Sequence, residues 1–138
     1  MSKNPVVHFE MPYKDADRVS KFYQEAFGWN MMGTGEEMGG YVVAQTAETD
    51  ENRMVKTPGT INGGFYPLSA SASTEPSVVI SVGDVQKAMK DVEAAGGELL
   101  GEPQEIPGIG LWVSFKDSEG NRVSILQANR REYRDAVS

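Results

Sequence analysis

Apolar and polar residues alternate from Val6 to Met11, with Val7, Phe9 and Met11 on one side and Val6, His8 and Glu10 on the other. A period of two is that of a strand with distinct faces. Pro12 should end it, because proline brings no N–H to a central ladder. From Asp15 the period lengthens, and Ala16, Val19, Phe22, Tyr23, Ala26 and Phe27 fall on one helical stripe. Asp15 is placed to cap this helix and Gly28 to stop it. Trp29–Met32, Tyr41–Thr46 and Ile61–Tyr66 read as three further strands, with a polar loop over 47–59. The Gly63–Gly64 pair inside a strand signals a bulge or the close approach of a side chain or ligand.

The plan then repeats. Ser77–Val82 is a β-branched strand, Asp84 a cap, and Val85, Ala88, Met89, Val92 and Ala95 a helical stripe stopped by Gly96–Gly97. Glu98–Glu102, Trp112–Lys116 and Arg122–Gln127 complete three strands, the last two joined by a turn over Asp117–Asn121. The second copy starts about 69 residues after the first, which points to an internal duplication. The expected architecture is α+β, with two βαβββ modules at 5–67 and 76–128 joined by a Ser- and Ala-rich linker over 67–76, within one domain over 1–138. A ferredoxin-like split βαβ with decorating strands is the rival.

The faces turned away from the helices are mixed. Val78, Ile80, Val82, Val123 and Ile125 should pack on the second helix. Ser77, Val79, Ser81, Ser124 and Leu126 lie opposite, with Trp112, Ser114 and Lys116 as the matching row of the neighbouring strand. Half-polar faces of this kind suit a small-molecule cavity. A solvated sheet face is the plainer reading, and Tyr41 and Trp112 argue against full exposure.

Composition narrows the chemistry. The 138 residues hold no cysteine, so thiol catalysis and thiolate metal sites are excluded. The formal charge of −7 disfavours nucleic acid and anionic membranes. Arg130, Arg131 and Arg134 form the only basic cluster and read as a solvated tail. No signal-peptide core or membrane span is expected, and a cytoplasmic location is the default. His8 is the single histidine, and Glu10 shares its strand face. That pair is the candidate for proton transfer. There is no HxxxH or HExxH motif, no calcium loop, no phosphate-binding glycine loop and no Ser–His–acid triad to pick out.

Val7-His8-Phe9-Glu10-Met11-Pro12, Asp17-Arg18, Phe22-Tyr23-x-x-x-Phe27-Gly28-Trp29 and Phe115-Lys116-Asp117-Ser118-Glu119-Gly120-Asn121 resemble the glyoxalase/bleomycin-resistance/extradiol-dioxygenase superfamily. The nearer likeness is to its uncharacterised lactoylglutathione-lyase-related branch. The resemblance implies paired βαβββ modules around a cavity, and with the strand edges that half-barrels leave it implies a homodimer. It carries the superfamily's metal-ligand positions onto His8, Ser77, Ser124 and the stretch Asn62–Gly64, where only His8 is a strong donor. The expectation is therefore a cavity protein that binds or transforms a small organic molecule, with no cofactor and no tightly bound metal. His8 and Glu10 would be catalytic, with Tyr41, Asn62, Val79, Trp112, Ser114, Ser124 and Leu126 as substrate-binding residues. A metal-dependent lyase or dioxygenase and a drug-sequestering protein are the alternatives.

Overall fold

The computed structural model describes residues 3–36, 39–52, 54–69 and 74–129. Arg130, Arg131, Arg134 and positions 70–73 of the expected linker lie outside the described residues. The chain divides into two compact units, one built on His8–Ser77 and the other on Val78 onward with the first residues up to Val7.

The first unit runs β1 (Val6–Tyr13), α1 (Ala16–Phe27), β2 (Asn30–Gly33), β3 (Val42–Gln45) and β4 (Asn62–Pro67). Its strands lie in the order β2-β3-β4-β1. β1 is parallel to β4, while β2 and β3 are antiparallel to their neighbours. Asp15 caps α1 through its carboxylate, which accepts from the Arg18 amide at 3.0 Å. Gly28 ends α1 at φ 72°, where a side chain would be strained. Phe9, Met11, Val19, Tyr23 and Trp29 pack around the buried Val42, Ala44 and Phe65.

Two details depart from the sequence reading. β1 continues through Pro12 to Tyr13. The Tyr13 carbonyl accepts from the Leu68 amide at 2.8 Å, so the alternation of a parallel ladder turns the Pro12 nitrogen away from β4, and no β1–β4 bond is lost. The apolar stripe of α1 is also only half covered, with Phe22 56% and Phe27 64% exposed.

The second unit contains β5 (Ser77–Ser81), α2 (Val85–Ala94), β6 (Glu98–Leu99), β7 (Gln104–Ile106), β8 (Gly110–Lys116) and β9 (Arg122–Ala128). β5 is parallel to β9, β9 antiparallel to β8, and β6 and β7 both pair with β8. The topology of the first unit therefore recurs, with the second strand broken into two pieces. Sequence reasoning missed β7, whose three residues sit between Pro103 and Pro107 with one apolar side chain among them. Val82, Val85, Met89, Val113, Phe115 and Ile125 form its core. Val78, expected to pack on α2, is 37% exposed. The α+β architecture of two βαβββ modules is thus the observed fold.

Candidate functional site

In the first unit the sheet has a helix face and an opposite face. The Gly63–Gly64 pair serves both. Gly63 lies under the Phe9 ring on the helix face, and Gly64 lies under the Tyr41 phenol on the other. A Cβ at either position would overlap those rings. The expected close approach is therefore that of two aromatic side chains, one to each side.

The register sets His8 beside Asn62 and Glu10 beside Gly64. With no side chain at Gly64, Tyr41 reaches across to both. Its hydroxyl lies 3.2 Å from His8 Nε2 and is hydrogen-bonded to Glu10. Burial, then the Glu10 charge and this hydrogen bond, push the Tyr41 phenol far above its ordinary range. The phenol thus keeps its proton beside the Glu10 carboxylate. The contact between His8 Nε2 and the Tyr41 oxygen is a hydrogen bond whose donor is set by the imidazole tautomer. Burial holds the imidazole down at about 4, so it is neutral at physiological pH. The result is a cluster of three titratable side chains, His8, Tyr41 and Glu10, within one unit. Sequence reasoning found His8 and Glu10 as a pair but treated Tyr41 as a cavity wall. The Gly63–Gly64 pair signalled a close approach, but nothing in the sequence named Tyr41 as the side chain that makes it.

Asn62 sits next to His8 in register, yet its Oδ1 accepts from the Thr46 and Ala47 amides at 2.8 and 2.9 Å. That oxygen closes the end of β3.

The remaining sequence-predicted residues belong to the second unit. Val79, Ser124 and Ser114 form one rung across β5, β9 and β8, and Ser81, Leu126 and Trp112 the next. Partners in register share a face, so the register places all six on the face opposite Ile125 and Val113. Ser114 Oγ and Ser124 Oγ are buried and hydrogen-bonded to each other at 2.9 Å. Val79 is buried. Ser81 Oγ and Trp112 Nε1 are buried with no hydrogen-bond partner. Ser81 was not singled out in the sequence.

The metal-ligand positions carried over by resemblance fare as follows. Ser124 is engaged by Ser114, the Asn62 oxygen by two amides, and Gly63 and Gly64 offer no side chain. Among the described residues no group of three or more His, Cys, Asp and Glu side chains converges. This donor set does not fit a tightly held transition metal, which takes three or four strong ligands. Among the described residues no helix is long and apolar enough to cross a membrane.

The family model of the Glyoxalase/Bleomycin resistance protein/Dioxygenase superfamily matches residues 6–125. The chain belongs to this superfamily. Within it, the chain is 27% identical over 131 residues to a probable lactoylglutathione lyase of Vibrio parahaemolyticus, covering 92% of this chain and 93% of that protein. It is also 27% identical to a lactoylglutathione lyase of Oryza sativa, of which it spans 44%. Among solved structures, a methylmalonyl-CoA epimerase of Streptomyces coelicolor superposes with a TM-score of 0.69 over 94% of this chain and all of that one, at 14% identity. At that identity the likeness is one of superfamily fold.

Proposed function

We propose that this superfamily member binds a small acyl compound against the β1–β3–β4 face and moves a proton on it through Glu10, Tyr41 and His8, without a tightly held metal. The observation that carries this reading is the Tyr41 hydroxyl held between His8 Nε2 and Glu10. Glu10 is the base that takes the proton. Tyr41, which keeps its proton in the resting site, turns that one proton to the oxygen where charge develops as Glu10 takes up the proton of the substrate. His8 orients the phenol through the hydrogen bond they share. Neutral at physiological pH, it serves as a positioning residue. The acyl class draws support from the names of the relatives, which concern lactoylglutathione in one branch and methylmalonyl-CoA in the other. The lyase-related branch is nearer by sequence and the epimerase branch by fold, and the proton-transfer chemistry proposed here needs the reaction of neither. A homodimer and a cytoplasmic location complete the proposal.

A thermal-shift screen of short acyl thioesters and free 2-oxo acids, paired with turnover assays on wild type, Glu10→Gln and Tyr41→Phe, tests it. The expected result is stabilisation of all three by the same compound, with turnover in wild type alone. Binding without turnover in wild type would refute the proton-transfer step and leave a sequestering protein.

A further inference from the structure

The rung Ser81–Leu126–Trp112 in the second unit contains two buried polar groups that no part of the described chain satisfies. Ser81 is 1% exposed. Leaving a hydroxyl or an indole N–H buried and unpaired costs about 1–3 kcal/mol each, and native proteins rarely do so without cause. The neighbouring rung shows that this face can satisfy itself, since Ser114 and Ser124 pair there at 2.9 Å. Ser81 and Trp112 flank the same leucine on the same face, with their Cα atoms about 10 Å apart across two strand spacings.

The chemistry of the two groups selects the missing partner. An indole Nε1–H only donates, so the partner must accept. Ser81 donates equally well. The two rungs otherwise carry the apolar Val79 and Leu126, the mutually paired Ser114 and Ser124, and the exposed Gln104 beside Trp112 on β7, and hold no charged side chain. The nearest charges on this face, Lys116, Arg122 and Glu98, share a rung four residues along β8 from Trp112, about 13 Å away. Without a cation, a carboxylate or phosphate would stay uncompensated on a buried apolar face. A neutral carbonyl oxygen on a short apolar body meets every condition. We infer that Ser81 and Trp112 form a carbonyl-binding subsite, with Leu126 and Val79 as its apolar floor. The inference does not rest on the proton-transfer reading, because it concerns binding to another unit of the chain.

Titration of ¹⁵N-labelled protein with 2-butanone, N-methylpropanamide and propanoate tests it through the two indole N–H signals. Trp29, in the other unit and stacked on Tyr23 at 4.5 Å, is the internal control. The two neutral carbonyl compounds should shift the Trp112 signal, leave Trp29 in place and bind more tightly than propanoate. Ser81→Ala should weaken that binding roughly twofold to tenfold, the worth of one hydrogen bond. Trp112→Phe, read on Leu126 methyl signals, should weaken it by a similar factor. A Trp112 signal that answers to no carbonyl compound would make water the sole acceptor and overturn the inference. So would propanoate binding as well as its neutral counterparts, or unchanged affinity in Ser81→Ala.

Discussion

The two adjacent glycines of β4 each make room for one aromatic ring, on opposite faces of the sheet. Gly63 lets Phe9 into the helix-face core, and Gly64 lets Tyr41 over the opposite face. Gly63→Ala forces the Phe9 ring against Val42, Ala44 and Phe65, and overpacking of that kind costs about 1–3 kcal/mol. Gly64→Ala pushes aside the Tyr41 phenol on the opposite face and breaks its contact with His8. Thermal unfolding should therefore fall more for Gly63→Ala, while the imidazole NMR signals should move more for Gly64→Ala. His8 also sets a pH dependence. Its pKa is about 4 in the folded chain and 6.5 as the ordinary value, so the unfolded chain binds the extra proton first as pH falls. Stability is full above 6.5 and declines between 6.5 and 4, by as much as roughly 3 kcal/mol. Denaturant titrations across that window should show the decline in wild type and lose this component in His8→Gln.

Among the elements, helix caps were the most legible. Asp15 and Asp84 each stand three residues before an amide that their carboxylates accept, at 3.0 and 3.1 Å. Asp15→Ala and Asp84→Ala should each cost about 1 kcal/mol by chemical denaturation. The alternation in β1 and β5 correctly assigned Phe9, Met11, Ile80 and Val82 to the helix faces, because a period of two leaves no other choice once one face is buried. What escaped was decided by tertiary pairing. Gln104–Ile106 is a strand only because β8 offers an edge, and Pro12 is tolerated only because its nitrogen faces away from β4. The Tyr41 network escaped for the same reason: nothing local to Tyr41 announces Gly64, 23 residues later in the chain. The unpartnered Ser81 and Trp112 groups were equally invisible, since a missing hydrogen bond has no sequence signature.

On the scale of the whole molecule, one plan of strand, capped helix and three strands is used twice, and the two copies have diverged in what their open faces carry. The first holds the titratable His8, Tyr41 and Glu10 side by side, and the second neutral hydroxyls, an indole and apolar side chains. Such a division suits proton movement on the first face and binding on the second. The charge of −7 adds that the protein should not be retained on duplex DNA at physiological salt, which a filter-binding assay checks. The central claim is that Glu10 takes a proton from carbon with Tyr41 beside it. Its most direct measurement is the exchange of deuterium from D₂O into the carbon next to the carbonyl of short acyl thioesters, followed by NMR. Wild type should catalyse exchange of at least one of them, Glu10→Gln should slow it at least a hundredfold, and Tyr41→Phe should slow it while leaving ligand binding intact. Exchange no faster than in buffer for every thioester, or exchange at the wild-type rate in Glu10→Gln, would contradict the account.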